Sequence, residues 1–236
     1  SYAGLASLYA DFVVQCTWEG DNTVLTLQAG RYLMSCYQDR ITKGNRNLPL
    51  GVAYLNELAL DARCEVGDNP VSIDTIGRAF DQVCANLVSR AATELVQEVK
   101  KRSKILGSSK KSQTEAAAFE ATAGARLLAA KFHCMAYMFH RFKDAVNKLE
   151  AKSTLKPVLV QLCILYGLSC INDHTGPFLQ YAFYTPLHVN MIHSEISNLL
   201  NALRPNVIAL TDAFDLTDYV LNSSIGCYDG DVYRRV

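Results

Sequence analysis

The chain lacks net charge: 23 Lys and Arg residues offset 23 Asp and Glu. A dedicated nucleic-acid binder carries a basic surplus, so the composition argues against that class. Paired-cysteine motifs are also missing. None of the eight cysteines stands in a Cys-x-x-Cys pair, which weakens zinc and dithiol readings. Most of Cys16, Cys36, Cys64, Cys84, Cys134, Cys163, Cys170 and Cys227 fall among apolar residues at helical spacing, the pattern of reduced, buried thiols in an intracellular protein. No apolar run reaches the roughly 18 residues that a membrane helix needs. The nearest, residues 158–171, fits a buried core helix better, and no secretory signal is evident. There is no Gly-x-Ser-x-Gly to support a hydrolase triad. Strand signals are nearly absent, and no internal repeat is found.

What remains is helical periodicity in a chain of 236 residues, half of them apolar. The expected class is all-α, built of helical bundles. The pattern predicts a first helix over 22–38 with Leu25, Ala29, Tyr32 or Leu33, and Cys36 on its buried stripe. A polar connection over 39–50 and a short helix over 52–61 follow, then a turn over 66–70. A long helix is expected from Ile73 or Asp74 to Lys104. The next runs over 114–150 with an unusually regular seam: Ala118, Ala121, Ala125, Leu128, Phe132, Met135, Phe139, Phe142, Val146 and Leu149. Such a seam packs either within the subunit or at an interface. Ser153 or Thr154 caps a helix that is apolar on nearly all sides through Ile171, hence central, with Pro157 in its first turn. Gly176-Pro177 reads as a turn, and a helix over 187–203 ends or kinks at Arg204-Pro205. Segments 208–214 and 217–222 complete the helical set, and Tyr228 to Asp231 forms a turn. The division expected is residues 1–70 and 71–236.

The most informative segment is Thr17-Trp18-Glu19-Gly20-Asp21-Asn22-Thr23. It places one carboxylate before a flexible Gly and a helix start, a setting that suits a general base. Asp21 or Asn22 can cap the helix, leaving other N–H groups to face phosphate or flavin oxygens. On the local pattern alone, Glu19 reads equally as an exposed acid stabilised by the helix dipole. Other constellations are weaker. Lys100, Lys101, Arg102, Lys104, Lys110 and Lys111 form a basic run that reads as a solvated helix end and loop. His133 and His140 share about one face of a helix, with no third ligand at metal spacing, so no metal is expected.

Glu19-Gly20-Asp21-Asn22-Thr23, with Leu27-Gln28 and Ala29-Gly30-Arg31-Tyr32-Leu33-Met34, resembles the catalytic-base segment of the acyl-CoA oxidases, flavoenzymes of the acyl-CoA dehydrogenase superfamily. Leu165-Tyr166-Gly167-Leu168, Gly176-x-Phe178-Leu179, Arg204-Pro205-Asn206, Ala213-Phe214-Asp215 and Tyr228-Asp229-Gly230-Asp231-Val232-Tyr233 resemble stretches of the oxidase C-terminal helical domain. The resemblance implies that residues 1–70 end the first C-terminal helical domain and that 71–236 form the second. It implies Glu19 as the base, Gly20 at the substrate thioester, and Asp21, Asn22 and Thr23 at FAD. It further implies fatty acyl-CoA as substrate, molecular oxygen as electron acceptor, a homodimer, and a peroxisomal address. No nucleic acid and no integral membrane segment are expected.

Three departures stand out. Ser1-Tyr2-Ala3-Gly4 resembles the middle of a family member, so the chain alone is not expected to be a competent enzyme. Cys227 stands where the family commonly has Arg. The end lacks a Ser-Lys-Leu type tripeptide. The competing readings are a non-catalytic helical dimerisation module and a dehydrogenase that passes electrons to a carrier protein.

Overall fold

The computed structural model describes residues 3–18, 20–106 and 111–235. Among these every regular element is helical. The helices are α1 (Leu5–Val13), α2 (Gln15–Trp18), α3 (Asn22–Thr42), α4 (Tyr54–Glu57), α5 (Ile73–Leu106), α6 (Lys111–Ala121), α7 (Ala123–Asn147), α8 (Leu155–Asp173), α9 (Thr175–Gln180), α10 (Pro186–Leu203), α11 (Val207–Asp212) and α12 (Asp218–Leu221). The chain divides into two compact units. One is Thr26–Leu203, and the other joins Ser1–Leu25 to Arg204–Val236.

The larger unit is built around α5. Its start is set by Ser72, whose hydroxyl accepts the N–H of Thr75 at 3.2 Å, as an N-cap does. The helix packs against α6, α7 and α8, and α8 in turn packs on α10. Ile76, Phe80, Val83, Cys84, Leu87 and Val88 of α5 are buried, as are Phe132, Met135, Phe139 and Val146 of α7. The regular seam therefore packs within the chain. At its centre the ring of Phe80 lies 5.5 Å from Phe139 and 5.7 Å from Phe178, which lies 5.9 Å from Phe132. Tilted and edge-on contacts of this kind add to the area these rings bury.

Buried polar groups pin the connections to this core. Gln82, 1% exposed, donates from Nε2 to the carbonyls of Leu60 and Tyr181, each at 2.9 Å. The Tyr184 hydroxyl donates to Pro70 O at 2.9 Å. His133 meets the Tyr54 hydroxyl at 3.2 Å through Nδ1, and burial holds its pKa below the usual imidazole value. His140 pairs with Asp81 at 2.8 Å through Nε2. Both histidines thus link elements of the packed unit.

Four expectations change in detail. First, α3 continues to Thr42 and buries Gly30, Leu33 and Cys36, while Leu25 and Tyr32 are exposed. Gly30 takes the seam position because a Cβ there would come within 3.0 Å of the Cβ and carbonyl oxygen of Arg126.

Second, the helix expected over 114–150 is broken at Thr122. That residue leaves the helical conformation at φ −103° and ψ 16°. Its hydroxyl donates to Ala118 O at 2.9 Å and accepts from Arg126 Nη1 at 3.0 Å. Back-bonding of this kind bends helices. The Arg126 guanidinium stacks 3.4 Å from the Phe119 ring centroid and braces the bend.

Third, α8 is only one-sidedly buried, through Cys163, Gly167, Leu168 and Ile171. By length and composition it is apolar enough to cross a membrane. Here it packs against α5, α7, α9 and α10.

Fourth, Gly176-Pro177 lies inside α9. Proline is tolerated in a first turn, where its missing N–H has no intrahelical partner.

Helix α8 approaches α5 and α7 closely at Gly167. A Cβ there would fall 2.7 Å from Phe139 Cε2 and 2.7 Å from Ile76 Cγ2. Gly167→Ala is therefore expected to destabilise the fold by about 1–3 kcal/mol through overpacking. Trimming the opposing ring with Phe139→Leu should recover part of that loss, and additive losses in denaturant titrations would rule this coupling out. Phe139→Ala alone, at a site 0% exposed, is expected to cost about 3–5 kcal/mol. An unchanged unfolding midpoint would refute the packing assignment.

Candidate functional site

Gly20 has φ +94°, and a Cβ there would meet nothing closer than Leu25 at 3.7 Å. The position therefore favours glycine for its backbone conformation rather than for want of space. This turn delivers the chain into α3. Asp21 is the cap: its Oδ1 accepts the N–H of Thr23 at 2.8 Å and of Val24 at 3.3 Å, and its carbonyl accepts Leu25 N at 3.0 Å. Asn22, the other candidate cap, instead forms the first residue of the helix. The bonds from Thr23 and Val24 hold the Asp21 carboxyl below the usual carboxylate range. Asp21, Asn22 and Thr23 are exposed and Gly20 is half-buried. Glu19 lies outside the described residues. Just before it, Trp18 is exposed, and its Nε1 donates to Gln15 Oε1 at 3.0 Å.

This cap changes the electrostatics expected of the helix start. Two of the free N–H groups are already taken by an ionised carboxylate, which offsets the positive end of the helix. The start is thus poorly suited to a phosphate. Asn22 and Thr23 carry short polar side chains on this exposed helix start, and the Thr23 side chain also bonds the Asp21 carboxyl.

The other sequence candidates lie elsewhere. Lys100, Lys101 and Lys104 are exposed near the end of α5, and Arg102 bonds Glu98 at 2.7 Å. Lys110 lies outside the described residues. Among the described residues no group of three His, Cys, Asp or Glu could hold a metal ion. In the unit that joins the chain ends, the Tyr228–Asp231 segment is a turn. Asp229 Oδ1 accepts Asp231 N at 3.0 Å, and its Oδ2 accepts from Arg235 at 2.7 Å. Cys227 Sγ donates to Ser223 O at 3.2 Å. Sequence reasoning missed Arg126, which is 2% exposed. It sits beside the apolar seam, where no periodicity distinguishes a buried Arg from a surface one.

Comparison with known proteins decides the family. The sequence model described as acyl-CoA oxidase matches residues 72–236, and the acyl-CoA oxidase C-alpha1 domain model matches residues 1–34. The chain belongs to the acyl-CoA oxidase family. It is 35% identical over 242 residues to peroxisomal acyl-coenzyme A oxidase 2 of Mus musculus, covering 99% of this chain and 34% of that protein. The crystal structure of acyl-CoA oxidase 3 from Yarrowia lipolytica matches with a TM-score of 0.85 at 32% identity, over 99% of this chain and 32% of that one. Acyl-CoA oxidase-1 from Caenorhabditis elegans, in a complex with FAD and ATP, has the same fold at a TM-score of 0.86 and 22% identity, over 99% of this chain and 34% of that one. The chain thus spans about a third of the length of the oxidases it matches.

The Asp21 cap gives a signed pH dependence. Its folded pKa lies below the usual carboxylate value of 3.8, so its contribution to the first turn of α3 is fully present above that value. The contribution is lost as pH falls through the folded pKa. Amide exchange at Thr23 and Val24 should therefore lose protection only in strong acid. Asp21→Asn should remove that pH dependence while keeping a cap. Equal acid sensitivity in both proteins would contradict the assignment.

Proposed function

We propose that this chain is the C-terminal part of a flavin-dependent acyl-CoA oxidase. In this reading residues 1–70 end the first C-terminal helical domain and residues 71–236 form the second. The reading is carried by the capped helix start: Asp21 fixes the beginning of α3 directly beyond the Glu19-Gly20 pair, in a member of the acyl-CoA oxidase family.

Glu19 removes the α-proton of a fatty acyl thioester, and the product is the trans-2-enoyl-CoA. A carboxylate serves here if it is ionised at working pH and basic enough to take a carbon-bound proton, a balance set by burial and nearby charge. Gly20 leaves its backbone open to the thioester end of the substrate. Asn22 and Thr23 offer hydrogen bonds to FAD. Asp21 acts on that site chiefly by fixing the helix start that presents these two residues. FAD, when bound, supplies the hydride acceptor for the β-hydrogen and the route for electrons to molecular oxygen, giving hydrogen peroxide. The proposal extends to a homodimer and to peroxisomal residence, in keeping with the name of the Mus musculus relative.

In the flavin-loaded oxidase that contains this chain, Glu19→Gln keeps the shape of the side chain and removes the base. Flavin content is expected to be unchanged while desaturation falls by about 10²–10⁴-fold or more. Near-normal turnover would sink the assignment. Loss of peroxide with desaturation intact through a carrier protein would make the enzyme a dehydrogenase.

A further inference from the structure

Among the described residues Arg126 is the one charged side chain that the fold buries, at 2% exposed. Its Nε finds no acceptor. Burial pulls its pKa down, against the opposing pull of Glu120. A buried charge with a donor left over is costly, and an apolar side chain of similar volume commonly serves a core as well or better. Departures of this kind gather at functional sites, where stability is given up for geometry.

The contacts of Arg126 show which geometry it holds, because three helices meet there. Its guanidinium stacks 3.4 Å from the ring centroid of Phe119, on α6. Its Nη1 donates to Thr122 Oγ1 at 3.0 Å, in the bend before α7. Its Cβ and carbonyl oxygen face Gly30 of α3, where an added Cβ would lie 3.0 Å from each. Arg31, the next residue of α3, lays its guanidinium 5.0 Å from the same Phe119 ring. Helices α3 and α7 therefore grip one ring of α6. Helix α3 runs unbroken from Asn22, two residues after the Glu19-Gly20 pair. Eight residues of helix span about 12 Å, so a lean of about 5° at Gly30 would move the helix start by about 1 Å. A misplacement of about 1 Å, caused far from the chemistry, can cost about 10²-fold in rate.

We propose that Arg126 is a positioning residue for the base segment. Through Phe119 and Thr122 it fixes the lean of α3, and with it the placing of Glu19, Gly20, Asn22 and Thr23. It acts through the helix and is not itself a catalytic group. The inference rests on the reading of Glu19 as the base.

The test is steady-state kinetics of the flavin-loaded oxidase that contains this chain, with kcat taken per mole of bound flavin. Arg126→Met keeps the length of the side chain and removes its charge and its planar stack. The unfolding midpoint is expected to hold, KM to change by less than about two-fold, and kcat to fall by about ten-fold or more. Phe119→Leu should lower kcat alike. Combining the two should cost little more than either, because both cut one linkage. Arg126→Lys keeps a cation on the ring and should recover part of kcat. Unchanged kcat in Arg126→Met, multiplying losses in the double variant, or no recovery with lysine would overturn the proposal. Glu19→Gln in the same series keeps the two readings apart. If it turns over normally, the base assignment fails whatever Arg126 does. If it is impaired and Arg126→Met is not, this inference alone fails.

Discussion

The contact of Gly167 with Phe139 and Ile76 is the constraint on which the larger unit rests. Three helices meet there, and one of them contributes no side chain. A Cβ on Gly167 would sit 2.7 Å from atoms of both neighbours, so α8 could not come so close to α5 and α7. That approach sets the spacing within which Phe80, Phe139, Phe178 and Phe132 can touch. Because protein interiors are packed like crystals, a shift at this point is felt by every ring in the cluster.

The same principle recurs at Gly30, with a different partner. Here α3 approaches the backbone of α7 at Arg126. A backbone carbonyl cannot swing aside as a side chain can, so this contact fixes the seat of α3 on the larger unit. Leu33 and Cys36 follow on the buried side of the same helix. The arginine met at that contact also braces the Thr122 bend through Phe119. One residue thereby couples the seat of α3 to the change of direction between α6 and α7.

At the other end of α3 the chemistry is local. Gly20 takes a left-handed backbone, Asp21 accepts two N–H bonds, and Asn22 and Thr23 begin the helix. This part of the candidate site was legible in the sequence because capping needs only neighbours along the chain. The choice between Asp21 and Asn22 as cap was not legible, since either side chain can accept such bonds. The family was legible in the order of the motifs from Glu19 to Met34 and from Leu165 to Tyr233, and the match over residues 72–236 agrees.

Local periodicity by itself determined that the chain is helical, that α5 begins at Ile73 or Asp74, and that Phe132, Met135, Phe139 and Val146 share one buried face. Those facts follow from spacing along a single helix. Tertiary structure alone decided which seam residues the neighbours cover, that Leu25 and Tyr32 stay exposed while Gly30 is buried, and that Thr122 divides one predicted helix into two. It also placed a guanidinium in the interior at Arg126, stacked on the Phe119 ring. Each of these depends on what stands across an interhelical gap of a few ångströms, and the residues there are remote along the chain.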